Sequence, residues 1–283
     1  MNKINFNGEL VSEERILFNK IKRAFNYGDG FFETIRVVNG NPIFIERHFK
    51  RIVIGLKHLK INYSKKFNLN FLSDNISELI NINNIKSGGK IKVYIFRSGM
   101  GTYKPTTNDI CFIIESSKVE NNLYKLNHKG FLVDVFKDYK KQINYLSSFK
   151  SSSSLLYVLA SLHSIDNHLD DSLILNENNE IIESSNSNIF ILLDNKIITP
   201  PLNSGCISGI MRIELMNIIN DIGFTVLERK IISDDLLNSK EIFLSNVVSG
   251  INWVGGYKQT RYYNTLSKKI IKELNKKLVI GRV

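Results

Sequence analysis

The chain has 283 residues, of which 43% are hydrophobic, so it can form one large domain or two of ordinary size around a substantial core. No apolar run approaches about 18 residues, which argues against a transmembrane helix, and the N-terminal residues lack the profile of a signal peptide. The two cysteines are too few for a disulfide framework. We therefore expect a cytoplasmic protein with no membrane association.

The net charge is +11, yet the basic residues are spread along the chain. The densest run, residues 268–278, carries apolar residues at helical spacing and is typical of an amphipathic helix with a solvated lysine face. A nucleic-acid partner is therefore not expected. The five histidines are scattered without a zinc-binding spacing, so no metal is expected either.

The first half of the chain predicts an α/β domain of the α+β kind with an antiparallel sheet, covering residues 1–118. Asn39-Gly40 is its strongest hairpin signal because it joins two β-like runs. A polar segment without clear periodicity, residues 119–130, is the predicted linker. Strands are predicted at 4–6, 14–18, 32–38, 42–45, 91–97 and 110–116, and helices at 46–59 and 66–82.

The second half, residues 131–283, predicts another α/β domain. A strand at 131–136 is followed by a helix at 153–167, and a meander of short strands then runs from 173 to 199. A helix follows at 210–222, opened by Ser208-Gly209. The remaining predicted elements are a strand at 224–230, a short helix at 233–238, a strand at 241–244 and the terminal helix.

Two residues point to a specific chemistry. Lys150 lies in a serine-rich run before a helical pattern, where its amine is a candidate for forming a Schiff base. Glu183 ends a β-like run, where its carboxylate is a candidate for holding a proton on a pyridine nitrogen. These are the two groups that a pyridoxal phosphate enzyme requires of its protein. The Lys150 amine must spend time neutral, so we expect a cationic or desolvating environment that lowers its pKa.

Four segments, in this order along the chain, form one pattern together with Lys150, which lies 33 residues before Glu183. The pattern resembles the class IV aminotransferase family, also called the fold-type IV pyridoxal phosphate enzymes, over roughly residues 1–260. The segments are Tyr27-Gly28-Asp29-Gly30-Phe31-Phe32-Glu33-Thr34-Ile35-Arg36, His48-Phe49-Lys50-Arg51, Glu183-Ser184-Ser185-Asn186-Ser187-Asn188-Ile189-Phe190 and Gly205-Cys206-Ile207-Ser208-Gly209-Ile210-Met211-Arg212.

The resemblance implies a two-domain fold-type IV enzyme with pyridoxal 5'-phosphate in the interdomain cleft, usually as a homodimer, acting on a small amino acid-like substrate. Lys150 would carry the cofactor and move the α-proton. Glu183 would face the pyridine nitrogen, and Arg51 would contact the phosphate. The other implied cofactor contacts are the backbone amides of Ile210 and Met211 at a helix start, the side chains of Ser245 or Asn246, and Ile207 on one ring face.

The pattern leaves the reaction open. Met211 and the run from Leu244 to Ile251 resemble aminodeoxychorismate lyases, and Thr34 matches a threonine of those lyases that relays a proton to the leaving enol. Leu155 stands where branched-chain aminotransferases carry a tyrosine. Against the lyase, the Gly-rich loop after Arg97 lacks the arginine that faces the second carboxylate in such lyases.

We therefore expect an aminodeoxychorismate lyase, which forms 4-aminobenzoate and pyruvate in folate biosynthesis. An aminotransferase of the branched-chain or D-amino acid type is the alternative, and a cofactor-free binding protein with the same fold is a third reading. The candidates for binding the substrate carboxylate are Arg36, Tyr94 and Arg97.

Overall fold

A computed structural model describes residues 2–13 and 18–280, with the main chain alone at 18–20. The chain divides into two compact units. The first comprises the described residues up to Leu123 together with Lys150–Ser153. The second comprises Tyr124–Phe149 and the described residues from Ser154 onwards.

The first unit is built on an antiparallel sheet, which has six strands in the described residues, in the order β2-β1-β6-β5-β3-β4. The central pair, β3 and β5, is in register from Gly30 opposite Phe96 to Val37 opposite Gly89. The strands are β1 (Lys3–Phe6), β2 (Glu9–Ser12), β3 (Gly30–Val38), β4 (Asn41–Pro42), β5 (Gly89–Arg97) and β6 (Ile110–Lys118).

Helices cover this sheet, and the alternation of side chains along β3 places them on its two faces. The helices are α1 (Phe18–Tyr27), α2 (Ile45–His58) and α3 (Leu69–Ile82). Glu33 of β3 meets α2 through hydrogen bonds to His48 and Arg51. Because strand side chains alternate, Phe32 and Thr34 lie on the opposite face. Thr34 therefore shares a face with Phe32, whereas Glu33 lies on the face that meets α2.

The hairpin turn at Asn39-Gly40 is found, but the predicted strand 42–45 is wrong. Strand β4 ends at Pro42, and the amide of Ile43 makes one further bond to the carbonyl of Arg36 at 2.9 Å. Phe44 has a left-handed φ of 56°, and α2 begins at Ile45. The predicted strand at 14–18 falls on residues 14–17, which lie outside the described part of the chain, while Phe18 begins α1.

The second unit contains a sheet that closes on itself, and nine strands belong to it in the part of the chain that is described. Successive pairing runs β10-β13-β14-β7-β8-β9, and β9 returns to β10 where Glu183 lies opposite Asn188. The strands are β7 (Phe131–Lys141), β8 (Asp171–Asn176), β9 (Ile181–Ser184), β10 (Asn188–Leu193), β11 (Lys196–Thr199), β12 (Val226–Glu228), β13 (Glu241–Asn246), β14 (Gly250–Tyr257) and β15 (Thr260–Arg261).

Parallel pairing of β7 and β8 requires a crossover connection, which passes through Lys150 and the helix α4. The apolar interior of the closed sheet includes Val133, Leu173, Ile189 and Leu244. The helices of this unit are α4 (Leu155–Asp166), α5 (Ile210–Asp221), α6 (Ser233–Leu237) and α7 (Thr265–Val279).

The segment Lys150–Ser153 groups with the first unit, whereas the sequence analysis placed Lys150 in the second domain. The amide of Phe32 donates to the carbonyl of Lys150 at 3.3 Å, and the amide of Ser152 donates to the carbonyl of Gly30 at 3.0 Å. These main-chain bonds extend the edge of β3. The crossover connection therefore places Lys150 at the edge of the first unit's sheet, although the residues on either side of Lys150–Ser153 belong to the second unit.

Candidate active site

Lys150 is positioned by its backbone and by an aromatic ring. The main-chain bonds to Gly30 and Phe32 fix its α-carbon at the edge of β3. Its Nζ lies 4.4 Å from the centroid of the half-buried Phe32 ring, a cation–π distance. The amine therefore sits on the face of the sheet that Phe32 shares with Thr34.

On the face of the sheet opposite Phe32 lies a charged cluster, and the sequence pattern identified only part of it. Glu33 accepts hydrogen bonds from Nδ1 of His48 at 2.7 Å and from Nε and Nη2 of Arg51 at 2.6 and 2.7 Å. The Glu33 side chain is 1% exposed. Burial alone would raise the pKa of Glu33, but the charge of Arg51 and the hydrogen bond from His48 outweigh it and hold that pKa at about 2. Glu33 therefore remains ionised and orients Arg51.

His48 is fully buried in the same cluster. Burial lowers its pKa, and the charges of Arg51 and Lys150 act in the same direction, although Glu33 opposes them. At neutral pH the imidazole is therefore neutral, with its Nδ1 proton donated to Glu33. Its Nε2 has no hydrogen-bond partner among the described residues. Glu33 and His48 both stood in the quoted motifs, but no periodicity distinguished them from core residues.

Two of the predicted carboxylate-binding arginines have protein partners. Arg36 is 2% exposed and donates through Nη2 to the carbonyls of Asn121 and Asn122. Arg97 donates from Nε to Asp29 at 3.0 Å and from Nη2 to the carbonyl of Leu59, at the end of α2, at 2.6 Å. Both arginines therefore stabilise loops and helix ends in this structure.

Tyr94, the third carboxylate candidate, lies directly opposite Phe32 in the β3–β5 register. Burial and the neighbouring Glu115 carboxylate raise the pKa of Tyr94 to about 12, so its hydroxyl stays protonated at ordinary pH. Thr34, the candidate proton relay, is 9% exposed and follows Phe32 by two residues on the same sheet face. Three of the predicted residues, Lys150, Thr34 and Tyr94, thus share one face of the first unit.

In the second unit, Glu183 is held by three donors. Nζ of Lys141 and the hydroxyl of Tyr157 donate to its Oε1 at 2.6 and 2.9 Å. The amide of Ile207 donates to its Oε2 at 2.7 Å. The Glu183 side chain is 3% exposed, so these charge-assisted bonds replace the hydrogen bonds that the carboxylate would make to water.

Lys141 and Tyr157 were not singled out from the sequence. Lys141 also donates to the hydroxyl of Tyr157 at 2.7 Å, which closes the cluster around Glu183. Burial, together with the charge of Glu183, raises the pKa of Tyr157, so the phenol is a permanent donor. Burial and the same charge raise the pKa of Cys206 to about 12, which leaves this thiol unreactive.

The start of α5 is an uncapped helix N-terminus. Gly209 is the N-cap residue and supplies no side-chain hydrogen bond, so the first amides of the helix, from Ile210 and Met211, have no capping partner. A Cβ on Gly209 would lie 2.0 Å from Oδ1 of Asn188, so only glycine fits here. Asn188 is itself fixed by its bond to the carbonyl of Ile207 at 2.8 Å.

Ser245 lies opposite Asn188 in the β10–β13 register. It is 1% exposed, and its Oγ has no hydrogen-bond partner in the described residues. Asn246, in contrast, is occupied: its Oδ1 accepts from the amides of Val248 and Ser249, and its Nδ2 donates to Ser187 at 3.0 Å. A buried hydroxyl without a partner beside an uncapped helix start suits an anionic ligand group such as a phosphate.

Across the residues that the structure describes, no cluster of three His, Cys, Asp or Glu side chains is arranged to hold a metal ion. No helix in the same residues is long and apolar enough to cross a membrane.

Comparison with protein-family models matches residues 30–254 to the amino-transferase class IV family. The chain belongs to this family. The predicted resemblance is therefore confirmed, and the chain is an enzyme of the class IV type. The match begins at Gly30 and includes Lys150, Glu183 and the start of α5.

Relatives within the family carry different activities. The chain is 27% identical over 254 residues to the D-alanine aminotransferase of Staphylococcus aureus strain N315, covering 87% of this chain and 86% of that protein. It is 25% identical over 253 residues to the aminodeoxychorismate lyase of Bacillus subtilis strain 168, covering 87% and 83%. Similar identity to a transaminase and to a lyase leaves the reaction unresolved.

The fold is that of the family. A branched-chain amino acid aminotransferase from Thermobaculum terrenum, solved in its PLP-form, superposes with a TM-score of 0.87 at 18% identity. The match covers 100% of this chain and 95% of that chain. The predicted mixed α/β, fold-type IV architecture is therefore confirmed.

Proposed function

We propose that this class IV enzyme uses pyridoxal 5'-phosphate and the Lys150 amine to act as an aminodeoxychorismate lyase, releasing 4-aminobenzoate and pyruvate. The observation that carries the lyase assignment is the position of Thr34. Its hydroxyl-bearing side chain lies on the same sheet face as Phe32, whose ring holds the Lys150 amine at 4.4 Å. A proton donor on the same face as the proposed base is what an elimination requires.

The chain has groups that fit the phosphate of the cofactor. The uncapped start of α5 offers the amides of Ile210 and Met211, and Oγ of Ser245 is a buried donor without a partner among the described residues. Both features are unfavourable without a ligand and are satisfied by an anion. Arg51, which Glu33 orients within the first unit, is the cation that the family resemblance assigns to the phosphate.

When bound, the cofactor supplies a ring that accepts the electrons of a substrate carbanion. Glu183 would hold the proton on the pyridine nitrogen, and Lys141, Tyr157 and the amide of Ile207 keep this carboxylate oriented. Lys150 would take the proton from the α-carbon of the substrate as general base. The Phe32 ring, with its centroid 4.4 Å from the Lys150 Nζ, partly desolvates the amine.

In the lyase reaction, loss of the α-proton is followed by cleavage of the bond to the enolpyruvyl oxygen. Thr34 would deliver a proton to the leaving enol, which becomes pyruvate. Leu155 is 75% exposed at the start of α4, and the tyrosine of that helix that meets the Glu183 cluster is Tyr157. The Leu155 position thus lacks the tyrosine that branched-chain aminotransferases carry there, which supports the lyase over that type of aminotransferase.

The aminotransferase alternative is favoured by the relatives, which include a D-alanine aminotransferase at 27% identity. In that reaction Lys150 would give back the proton it removed, and the substrate would be released as a keto acid without its amino group. Thr34 would then have no leaving group to protonate. The two reactions therefore differ in whether the Thr34 hydroxyl is required.

The deciding assay offers purified holoenzyme aminodeoxychorismate alone and, separately, an amino donor with a 2-oxo acid. We expect pyruvate and 4-aminobenzoate from the first mixture without any amino acceptor. Transfer of the amino group in the second mixture, with no pyruvate from the first, would contradict the lyase assignment and select the aminotransferase.

Thr34→Val tests the same assignment by removing the hydroxyl while keeping the branched shape. We expect pyruvate release to fall by about 100-fold or more, the typical contribution of a positioned proton donor. Thr34→Ser should retain most of the activity. A Thr34→Val enzyme that releases pyruvate at the normal rate would show that another group protonates the enol.

We also propose that the enzyme is a homodimer that uses the outer face of α4. This face carries apolar side chains at helical spacing, while the opposite face packs on the sheet through Ala160 and Tyr157. A helix that is apolar all round is normally buried. The outer apolar residues and their exposures are Leu155 75%, Val158 50%, Leu159 46%, Leu162 48% and Ile165 69%.

A second copy of this chain is the occupant that suits this face. The stripe contains no charged side chain, so two copies in antiparallel orientation meet without like-charge repulsion, and Leu155 of one would face Ile165 of the other. Tyr145 and Leu146, 68% and 44% exposed, extend the apolar surface before the helix. An interface of this self-complementary type is what two-fold dimers use.

Leu159→Glu tests the dimer because it places a charge at the centre of the stripe. Light scattering after size exclusion should give twice the chain mass of 32.5 kDa for the wild type and a large shift towards the monomer for the variant. Leu237→Glu, at a 38% exposed leucine of α6, is the matched control and should stay dimeric. A monomeric wild type, or a dimeric Leu159→Glu, would contradict this interface.

A further inference from the structure

Lys92 lies on the same sheet face as the Lys150 amine. It sits directly opposite Thr34 in the β3–β5 register, one row from the pair formed by Phe32 and Tyr94. Its Nζ turns towards that pair, 5.6 Å from the Phe32 centroid and 5.3 Å from the Tyr94 centroid.

Lys92 and Lys150 share one aromatic ring. Nζ of Lys150 is 4.4 Å and Nζ of Lys92 is 5.6 Å from the centroid of Phe32. The two nitrogens are therefore within about 10 Å of each other, close to the Debye length at 0.1 M salt, so a charge at one is felt at the other. A substrate that reacts at Lys150 would therefore have Lys92 among its neighbours on this face.

Three arginines of the first unit have protein acceptors. Arg51 is bound by Glu33, Arg97 by Asp29, and Arg36 by two backbone carbonyls. Lys92 has no carboxylate within 4.0 Å among the described residues. Its cross-strand neighbour Glu115 also lies beside Tyr94 and, after burial, is the next cause that raises the pKa of that phenol. Lys92 is thus a half-buried ammonium with aromatic contacts and no ion pair within 4.0 Å among the described residues.

We propose that Lys92 binds a second carboxylate of the substrate and makes the enzyme selective for amino acid-like molecules that carry two carboxylates. The inference rests on the proposed function, since it takes Lys150 as the reacting amine. It adds a specificity residue that none of the sequence motifs contains.

The physical reason is the cost of a partly desolvated charge. An ammonium on aromatic rings has lost part of its hydration, and an anion restores the balance with charge-assisted hydrogen bonds. A substrate whose side chain is neutral or apolar would leave the Lys92 ammonium without an anionic partner. Dicarboxylates are therefore favoured because they gain this attraction and because other substrates leave the Lys92 charge uncompensated.

The test measures equilibrium binding of two probes to the holoenzyme by calorimetry. Glutarate carries two carboxylates, and pentanoate has the same chain length with one. We expect the wild type to bind glutarate more tightly, and Lys92→Met to lose about 10-fold for glutarate, as for one charge-assisted bond, with pentanoate unchanged. Lys92→Arg should retain the preference.

Lys90→Met is the matched control. Lys90 lies on the same strand and the same face, opposite Arg36, and its ammonium makes no contact with the Phe32 ring. The substitution removes the same charge and should leave the glutarate to pentanoate ratio unchanged. With aminodeoxychorismate as substrate, Lys92→Met should raise KM and leave kcat nearly unchanged, because the residue binds the substrate and does not move a proton.

Three results would overturn the proposal for Lys92. These are equal binding of the two probes by the wild type, no detectable binding of glutarate, and a Lys92→Met variant that weakens both probes alike. Failure of the proposed function is separate, because it is read from pyruvate release with aminodeoxychorismate and from borohydride labelling of Lys150. An enzyme labelled at Lys150 that lacks the glutarate preference refutes the role of Lys92 alone.

Discussion

Lys150→Ala should abolish turnover while leaving the fold intact. The variant loses the amine that would both carry the cofactor and move the α-proton, and a positioned acid–base group alone contributes about 100- to 10,000-fold. The main-chain bonds of residue 150 to Phe32 remain available to alanine. The cost to stability is the cation–π contact with Phe32, on the order of 0.5–1 kcal/mol.

Borohydride reduction followed by peptide mass analysis identifies the reacting amine directly. In the wild type we expect one covalent adduct, on Lys150, and in Lys150→Ala none. Lys140→Ala, at an exposed lysine of β7, is the control and should be labelled and active like the wild type. An adduct on Lys141 or Lys92, or an active Lys150→Ala enzyme, would refute the assignment.

Glu183→Gln is expected to lower turnover by about 100-fold or more, in the range seen when a group that stabilises developing charge is removed. Glutamine retains the size and accepts hydrogen bonds but carries no charge to hold a pyridinium proton. The same change leaves Lys141, 11% exposed, without its counter-ion. Removing one partner of a buried ion pair costs about 3–5 kcal/mol, so the melting temperature should also fall.

A double variant separates the two consequences. Lys141→Met in the Glu183→Gln background removes the uncompensated charge, so thermal stability should return towards the wild-type value while turnover stays low. Thermal denaturation and steady-state kinetics on the four proteins of this cycle measure both effects. Recovery of activity in the double variant would mean that Glu183 acts only by neutralising Lys141.

The sequence could propose Lys150 and Glu183 as reacting groups because each lies in a local pattern. Lys150 stands in a serine-rich run before a helix, and Glu183 ends a strand, so both could be read from adjacent residues. Most strands and helices were also predictable from periodicity. The predicted strand at 42–45 failed because the left-handed Phe44 turns the chain away from the sheet and α2 begins at Ile45.

The partners of these groups were not predictable because they come from distant parts of the chain. Lys141 meets Glu183 across 42 residues, and nothing local distinguishes it from the exposed lysines beside it. The same holds for Lys92, one of many lysines on alternating strand positions. Which lysine faces an aromatic ring depends on strand register, and register is set by pairing across the sheet.

The sequence by itself determined the family and the fold class and proposed Lys150 and Glu183 as the reacting groups, since these inferences depend on residue types at fixed local spacings. Only the tertiary structure decided that Glu33 orients Arg51, that Lys141 and Tyr157 hold Glu183, and that Lys150 pairs with the edge of β3. The physical reason is that charges and hydrogen bonds act over a few ångströms in space. Chain folding alone brings such partners within that distance.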